Sequence, residues 1–237
     1  MIKKALILKG GWDGHEPEKV SARFGRMLEA EGYQVEIADN LEVLNDANKI
    51  KGLHLLVPVW TMAKITNQQV VNVSEAIANG TGIAGCHGGM CDAFREEVLW
   101  QFITGGNWVA HPGNDGTEYA VEFKNSTSPL IQGLANFKVK SEQYYMHVDP
   151  AVEVLATTRF PLAHGYHSSN GSVDMPVAWT KRWGWGRVYY CSLGHHDDIF
   201  DNATAAELMR RGFVWAGEGF DLARSEGRTA ESFKSKV

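Results

Sequence analysis

The run Gly85-Cys86-His87-Gly88-Gly89 is the segment whose residue types and spacing point most directly to chemistry. It follows a buried apolar stretch and precedes a helical one. A sharp strand-to-helix turn strains its central residue and needs small residues two before and two after it, the logic of the nucleophile elbow. The centred residue is His87, between Gly85 and Gly89. The N–H groups of a helix starting here disfavour an imidazolium, so His87 is expected to be neutral at pH 7. A neutral imidazole can act as base, hydrogen-bond donor or metal ligand. Two other readings stay open. A shift of one residue centres Cys86 between Ala84 and Gly88 and gives a thiol nucleophile. A glycine-rich turn can also carry no chemistry at all.

Ligands of open parallel sheets sit beyond the carboxyl ends of the strands, so other polar residues expected there are candidates too. The first strand runs into Gly10-Gly11-Trp12-Asp13-Gly14-His15-Glu16, which offers His15 and Glu16 to the crevice, with Trp12 and Asp13 as substrate contacts. Asp13 or His15 could equally cap the next helix. Trp60, after the third strand, is a rim candidate or a packing residue. A late strand ends in Gly194-His195-His196-Asp197-Asp198; adjacent histidines diverge, and His195 is chosen for the pocket. Glu142 and Tyr144 share a face if their segment is a strand, and a carboxylate beside a phenol suits proton transfer or recognition of sugar hydroxyls. A solvated edge strand is the competing reading. His15, His87 and His195 have the chemistry to hold a divalent metal such as zinc, but no short-range ligand pattern indicates one. His54, His111, His164 and His167 lack supporting context and read as surface or structural.

Regular elements must position these groups. Apolar runs at Ala5 to Leu8 and Leu53 to Val59, the alternation at Tyr33 to Ile37, and Thr81 to Cys86 read as strands. Helices fall between them, opened by Pro17, by Thr66 or Asn67, and at Gly88, the last expected to reach Phe102. This spacing implies parallel βαβ units with right-handed crossovers. Strands are further expected at Thr117 to Phe123, Phe137 to Tyr144, Val152 to Thr157, Val177 to Thr180 and Arg187 to Ser192, the last two joined by a turn at Gly184-Trp185-Gly186. Thr204 to Glu207 reads as a capping box for a final helix. One domain over residues 1–220 and a polar tail over 221–237 is the expected organisation. Of the 237 residues 44% are hydrophobic, enough for a core, and the net charge of −5 points away from nucleic acid and anionic membranes. No apolar run is long enough to span a bilayer. Three cysteines without paired spacing imply a reducing, cytoplasmic compartment.

Several runs resemble the ThuA-like, trehalose-utilisation family. They are Gly82-Ile-Ala-Gly-Cys-His87-Gly-Gly, Pro129-Leu-Ile-Gln-Gly133-Leu134 followed by Glu142-Gln-Tyr144, and most specifically Gly184-Trp-Gly186-Arg187-Val-Tyr-Tyr-Cys-Ser-Leu-Gly194-His195. The resemblance spans Ala5 to Trp215. It implies a flavodoxin-like three-layer α/β/α sandwich with a mostly parallel central sheet, similar to class I glutamine amidotransferases. Histidine at the elbow, where those enzymes carry cysteine, argues against ammonia release from glutamine. The family is associated with disaccharide use alongside a dehydrogenase that makes 3-keto sugars. The resemblance therefore implies an isomerase, lyase or hydrolase acting on a 3-keto glycoside, with a small-molecule sugar as partner. It also implies a pocket of His15, His87, Glu142, Tyr144 and His195, and a homo-oligomer at the family level. The chain departs from the common pattern at Ser128, where many members carry histidine, and at Ser141, where many carry aspartate. The alternative function is non-catalytic sugar binding or regulation, with Trp12, Trp60 and Trp183 as an aromatic rim.

Overall fold

The computed structural model describes residues 2–124, 127–160 and 165–234. A nine-stranded sheet forms the centre, in the order β2-β1-β3-β4-β11-β10-β9-β6-β7. The first five strands of that order are β2 (Tyr33–Ala38), β1 (Lys3–Gly11), β3 (Leu55–Thr61), β4 (Gly82–Cys86) and β11 (Gly186–Cys191), all mutually parallel. The other four, β10 (Val173–Trp183), β9 (Glu153–Phe160), β6 (Thr117–Phe123) and β7 (Phe137–Ser141), extend the sheet antiparallel. A separate pair, β5 (Gly106–Ala110) with β8 (Tyr145–Val148), lies beyond it.

Alternating side chains explain the layers. Ala5 and Ile7 pack with Val20, Phe24 and Leu28 of α1 (Pro17–Ala30) and with Leu208 and Phe213 of α6 (Ala203–Ser225). Leu6 and Leu8 face the other way, onto Ile50 of α2 (Ala47–Lys51), Val70, Val73 and Ile77 of α3 (Asn67–Ala78), and Trp100 of α5 (Val98–Thr104). Strands covered on both faces must be apolar on both, which is why these segments read as continuous apolar runs. The result is the expected α/β three-layer architecture. No helix among the described residues is long and apolar enough to cross a membrane.

Several elements differ from the sequence expectation. Gly10 and Gly11 belong to β1, paired with Trp60 and Thr61, and do not open a loop. Pro58 lies inside β3, tolerated because pairing with β4 covers only Leu55 and Leu56. The helix expected from Gly88 to Phe102 is broken into α4 (His87–Cys91) and α5. The carbonyls of Asp92 and Ala93 are taken by the amides of Met62 and Ala63, so they cannot continue a helical ladder. The strand expected to reach Tyr144 stops at Ser141, because its partner β6 begins opposite, at Thr117. The last helix is capped by Asn202, whose side chain accepts from the amides of Thr204 and Ala205, and not by a Thr204–Glu207 box. Glu207 instead holds Arg210 and Arg211. Helix α6 runs through position 220 to Ser225 with Ala223 buried, and Trp185 donates to the Thr229 carbonyl beyond it.

Candidate active site

The elbow is centred on His87. Its φ is 47°, in the left-handed region that a side chain occupies at a cost, whereas Cys86 is extended at φ −136°. A side chain at Gly85 would meet Met90 and the Pro58 carbonyl at 3.0–3.1 Å, and one at Gly89 would meet the Val59 backbone at 3.1 Å. Gly88 has a separate reason: a Cβ there would lie 2.5 Å from the His15 ring. The turn is small so that the imidazole of the first βα connection can lie against it. The thiols of Cys86, Cys91 and Cys191 are all buried, and burial pushes each up, Cys191 to about 12, which removes them as nucleophiles.

His15, His87 and His195 meet. The ring centres lie 4.7 Å apart for His15 and His87, 5.1 Å for His15 and His195, and 5.6 Å for His87 and His195. Glu142 closes the group from the opposite side. One carboxylate oxygen, Oε2, lies 3.2 Å from His87 Nε2 and 3.2 Å from His195 Nδ1. The His195 contact is off the line of a well-formed hydrogen bond. The other oxygen, Oε1, is 3.6 Å from His111 Nε2. Glu142 sits in the irregular link between β7 and β8. The Tyr119 hydroxyl donates to its carbonyl at 2.9 Å, and the next side chain, Gln143, donates to Thr158 Oγ1 and the Arg159 carbonyl. Tyr144 stacks on the His87 ring at 3.8 Å.

Burial and charge set the protonation. Burial pushes His15 down to about 2, helped by the neighbouring imidazoles. Burial also lowers His87, against the pull of Glu142 and the Ser192 carbonyl. The cause is desolvation; α4 is only five residues long, too short for the helix field that the sequence suggested. Burial works to raise Glu142, but contacts with His195 and His87 outweigh it and hold the carboxyl well below the carboxylate range. His195 is raised: desolvation opposes its charge, but the Glu142 carboxylate wins.

The remaining sequence candidates divide. Trp12 is 46% exposed and stands edge-on to His15 at 4.8 Å, at the mouth of the site. Asp13 is exposed beside it. Glu16 turns away to the Asp197 amide and Lys19. Trp60 lies over Gly10 and packs into the opposite core. Trp183 is at the far end of the sheet, donating to Ser74 Oγ. Trp60 and Trp183 point elsewhere because strand alternation and the β10–β11 hairpin carry them away from the crevice, and Glu16 because it is held by the Asp197 amide and Lys19. His54 is buried and accepts from the Lys4 amide, His167 is exposed, and His164 lies outside the described residues.

The sequence reading missed His111. It follows β5, stacks near Trp108 at 5.4 Å and Tyr144 at 6.2 Å, and is the imidazole on the open side of Glu142, 30% exposed. Only the neighbouring Trp108 hinted at it. A cleft of about 370 Å³ runs past it, lined by Trp108, Val109 and Ala110 to Asn114. A larger one of about 660 Å³, between Pro129, Glu153, Lys181 and Trp215, contains none of the clustered histidines and has no part in this chemistry.

No curated protein matches the chain. Among solved structures, a ThuA-like protein from Bacteroides uniformis superposes with a TM-score of 0.73 at 21% identity, over 90% of this chain and 91% of that one. A ThuA-like protein from Parabacteroides merdae gives 0.70 at 17% identity, over 92% and 91%. A glutamine amidotransferase from Thermotoga maritima gives 0.52 at 7%, over 97% and 96%. At these identities the likeness is one of fold. The sequence itself matches the family model for ThuA, trehalose utilisation, over residues 4–216. With an elbow histidine on this fold and a match over most of its length, the chain belongs to the ThuA family of trehalose utilisation.

Proposed function

We propose that this protein is an enzyme acting on a 3-keto glycoside or related oxidised disaccharide of trehalose catabolism. The observation that carries the reading is Glu142, a buried carboxylate held anionic among imidazoles, with one of them, His111, on the open side. A ketone at C3 acidifies the proton at C2. In this reading His111 takes that proton on Nδ1, its Nε2 side turned to Glu142 Oε1 at 3.6 Å. The C–H electron pair becomes the C2–C3 double bond and the carbonyl pair moves to oxygen, giving an enolate. His195 Nδ1 faces Glu142, and its second ring nitrogen is the hydrogen-bond donor for that oxygen. His87 is 1% exposed, boxed between Tyr144 and the Ser192 carbonyl, so it positions Glu142 and does not face substrate. The cleft beside His111 falls in the roughly 300–1,000 Å³ range of small-molecule sites. Trp12 supplies an apolar face for a sugar ring at the mouth.

The test is NMR of 3-ketotrehalose mixed with purified protein. Wild type is expected to convert it, and His111→Ala to lose about 10²- to 10⁴-fold, the usual range for a general base. An unchanged spectrum with wild type, or equal turnover by the variant, sinks the reading. The exposed Trp12 also favours a second reading, sugar binding without catalysis. Calorimetric binding of unmodified trehalose without turnover would replace the first with it.

A further inference from the structure

We propose that His15, His87, Glu142 and His195 hold a divalent metal ion of the zinc class. The argument begins with the two nitrogens of His87. Nδ1 is 2.8 Å from the Ser192 carbonyl, which can only accept. Nε2 is 3.2 Å from the Glu142 carboxylate, which when ionised can also only accept. A neutral ring has one N–H, so either tautomer leaves a lone pair facing an oxygen. The geometry demands an imidazolium in a ring almost wholly withdrawn from water, or a cation between Nε2 and the carboxylate. The shorter contact places the proton on Nδ1, the arrangement in which a backbone carbonyl orients a metal-ligating histidine.

His15 repeats the pattern. Its Nδ1 is 2.9 Å from Thr61 Oγ1, leaving the other ring nitrogen for the cluster. His195 Nδ1, buried and without a well-formed hydrogen bond, is the third nitrogen aimed at the same carboxylate oxygen. One donor atom from each of the four residues lies within 4.8 Å of the others. Ligand atoms around a tetrahedral zinc with bonds of 2.0–2.1 Å are about 3.3 Å apart. The two 3.2 Å contacts to Glu142 match that spacing, and the wider separations, up to 4.8 Å, must close by as much as about 1.5 Å on binding. Three imidazoles and one carboxylate suit zinc or a neighbouring transition ion better than magnesium or calcium. Four protein ligands fill a tetrahedral shell, so such an ion would act as a Lewis acid on a ketone oxygen only by expanding to five-coordination. That use rests on the sugar reading; the binding site does not.

The experiment is elemental analysis of protein purified without chelator, followed by calorimetric titration of the stripped protein with zinc chloride. Roughly one ion per chain is expected. Glu142→Gln should weaken zinc by more than the roughly 10- to 100-fold that loss of an outer partner costs, and Thr61→Val by about that range. Circular dichroism checks that each variant folds. If Glu142→Gln does not, Thr61→Val and the visible spectrum of the cobalt-substituted wild type carry the test. The site is overturned if no ion copurifies and stripped wild type binds zinc no tighter than the variants. It is also overturned if nitrogen NMR finds both ring nitrogens of His87 protonated. Zinc bound without turnover of 3-ketotrehalose sinks only the sugar reading; turnover by a protein that binds no zinc sinks only the metal.

Discussion

The parallel and antiparallel halves of the sheet contribute to the site in different ways. The parallel half presents His15, His87 and His195 from the carboxyl ends of β1, β4 and β11, where any open α/β fold places its ligand groups. The antiparallel half contributes Glu142, Tyr144 and His111 from irregular links around the small β5–β8 pair. The first set is regular and incomplete: three imidazoles without a counter-charge. The second set brings the carboxylate that joins them. Regular βα units thus fix where a site is, and the less regular half determines its charge.

The two halves meet at β10, and Trp179 there offers the strongest way to break the contrast. It is fully buried, its indole donates to the Thr104 carbonyl at 3.0 Å, and its ring fills the space beside Gly105 and Gly106. Trp179→Ala is expected to cost about 3–5 kcal/mol in urea unfolding. Fluorescence and circular dichroism transitions should still coincide if the halves unfold together; separate transitions would show that they are independent. Gly88→Ala acts on the parallel half alone. A methyl 2.5 Å from the His15 ring must move that ring, at about 1–3 kcal/mol by the same measurement. Unchanged stability would show that His15 has room to yield.

The smallest effect concerns the link between helix α6 and the antiparallel half. Glu207 holds Arg211, which donates to the Gln132 carbonyl, and Arg210, which reaches Glu31. Hydrogen bonds from Arg210, and then from Arg211, pull the Glu207 carboxyl down from 4.5 to about 2. A depressed folded-state value means that the contribution is complete above the unfolded value. It is lost as pH falls through the window from 4.5 to about 2. The stability advantage of wild type over Glu207→Gln should therefore shrink across that window, and a constant difference would refute the assignment.

Much of the parallel half is legible in the chain. Apolar runs, Pro17, the Thr66 capping box with Gln69 and the elbow glycines mark its elements to within a few residues. Their signals are local, because a strand buried on both faces and a turn without room for side chains restrict residue type position by position. The break at Asp92 was not legible, since the groups that take those carbonyls, Met62 and Ala63, lie some thirty positions away. Likewise Glu142 and Tyr144 were picked out as one face of a strand and by the family resemblance, but the strand ends at Ser141 and both lie in the irregular link beyond it.

The sequence alone determined the fold class and the histidine elbow, since periodicity and small-residue spacing are properties of neighbouring residues. Only the tertiary structure decided that Glu142 is the hub, that Trp60, Glu16 and Trp183 face away, and that His111 stands on the open side. Those outcomes depend on which distant segments the sheet order brings together, and on how much water burial leaves around each charge.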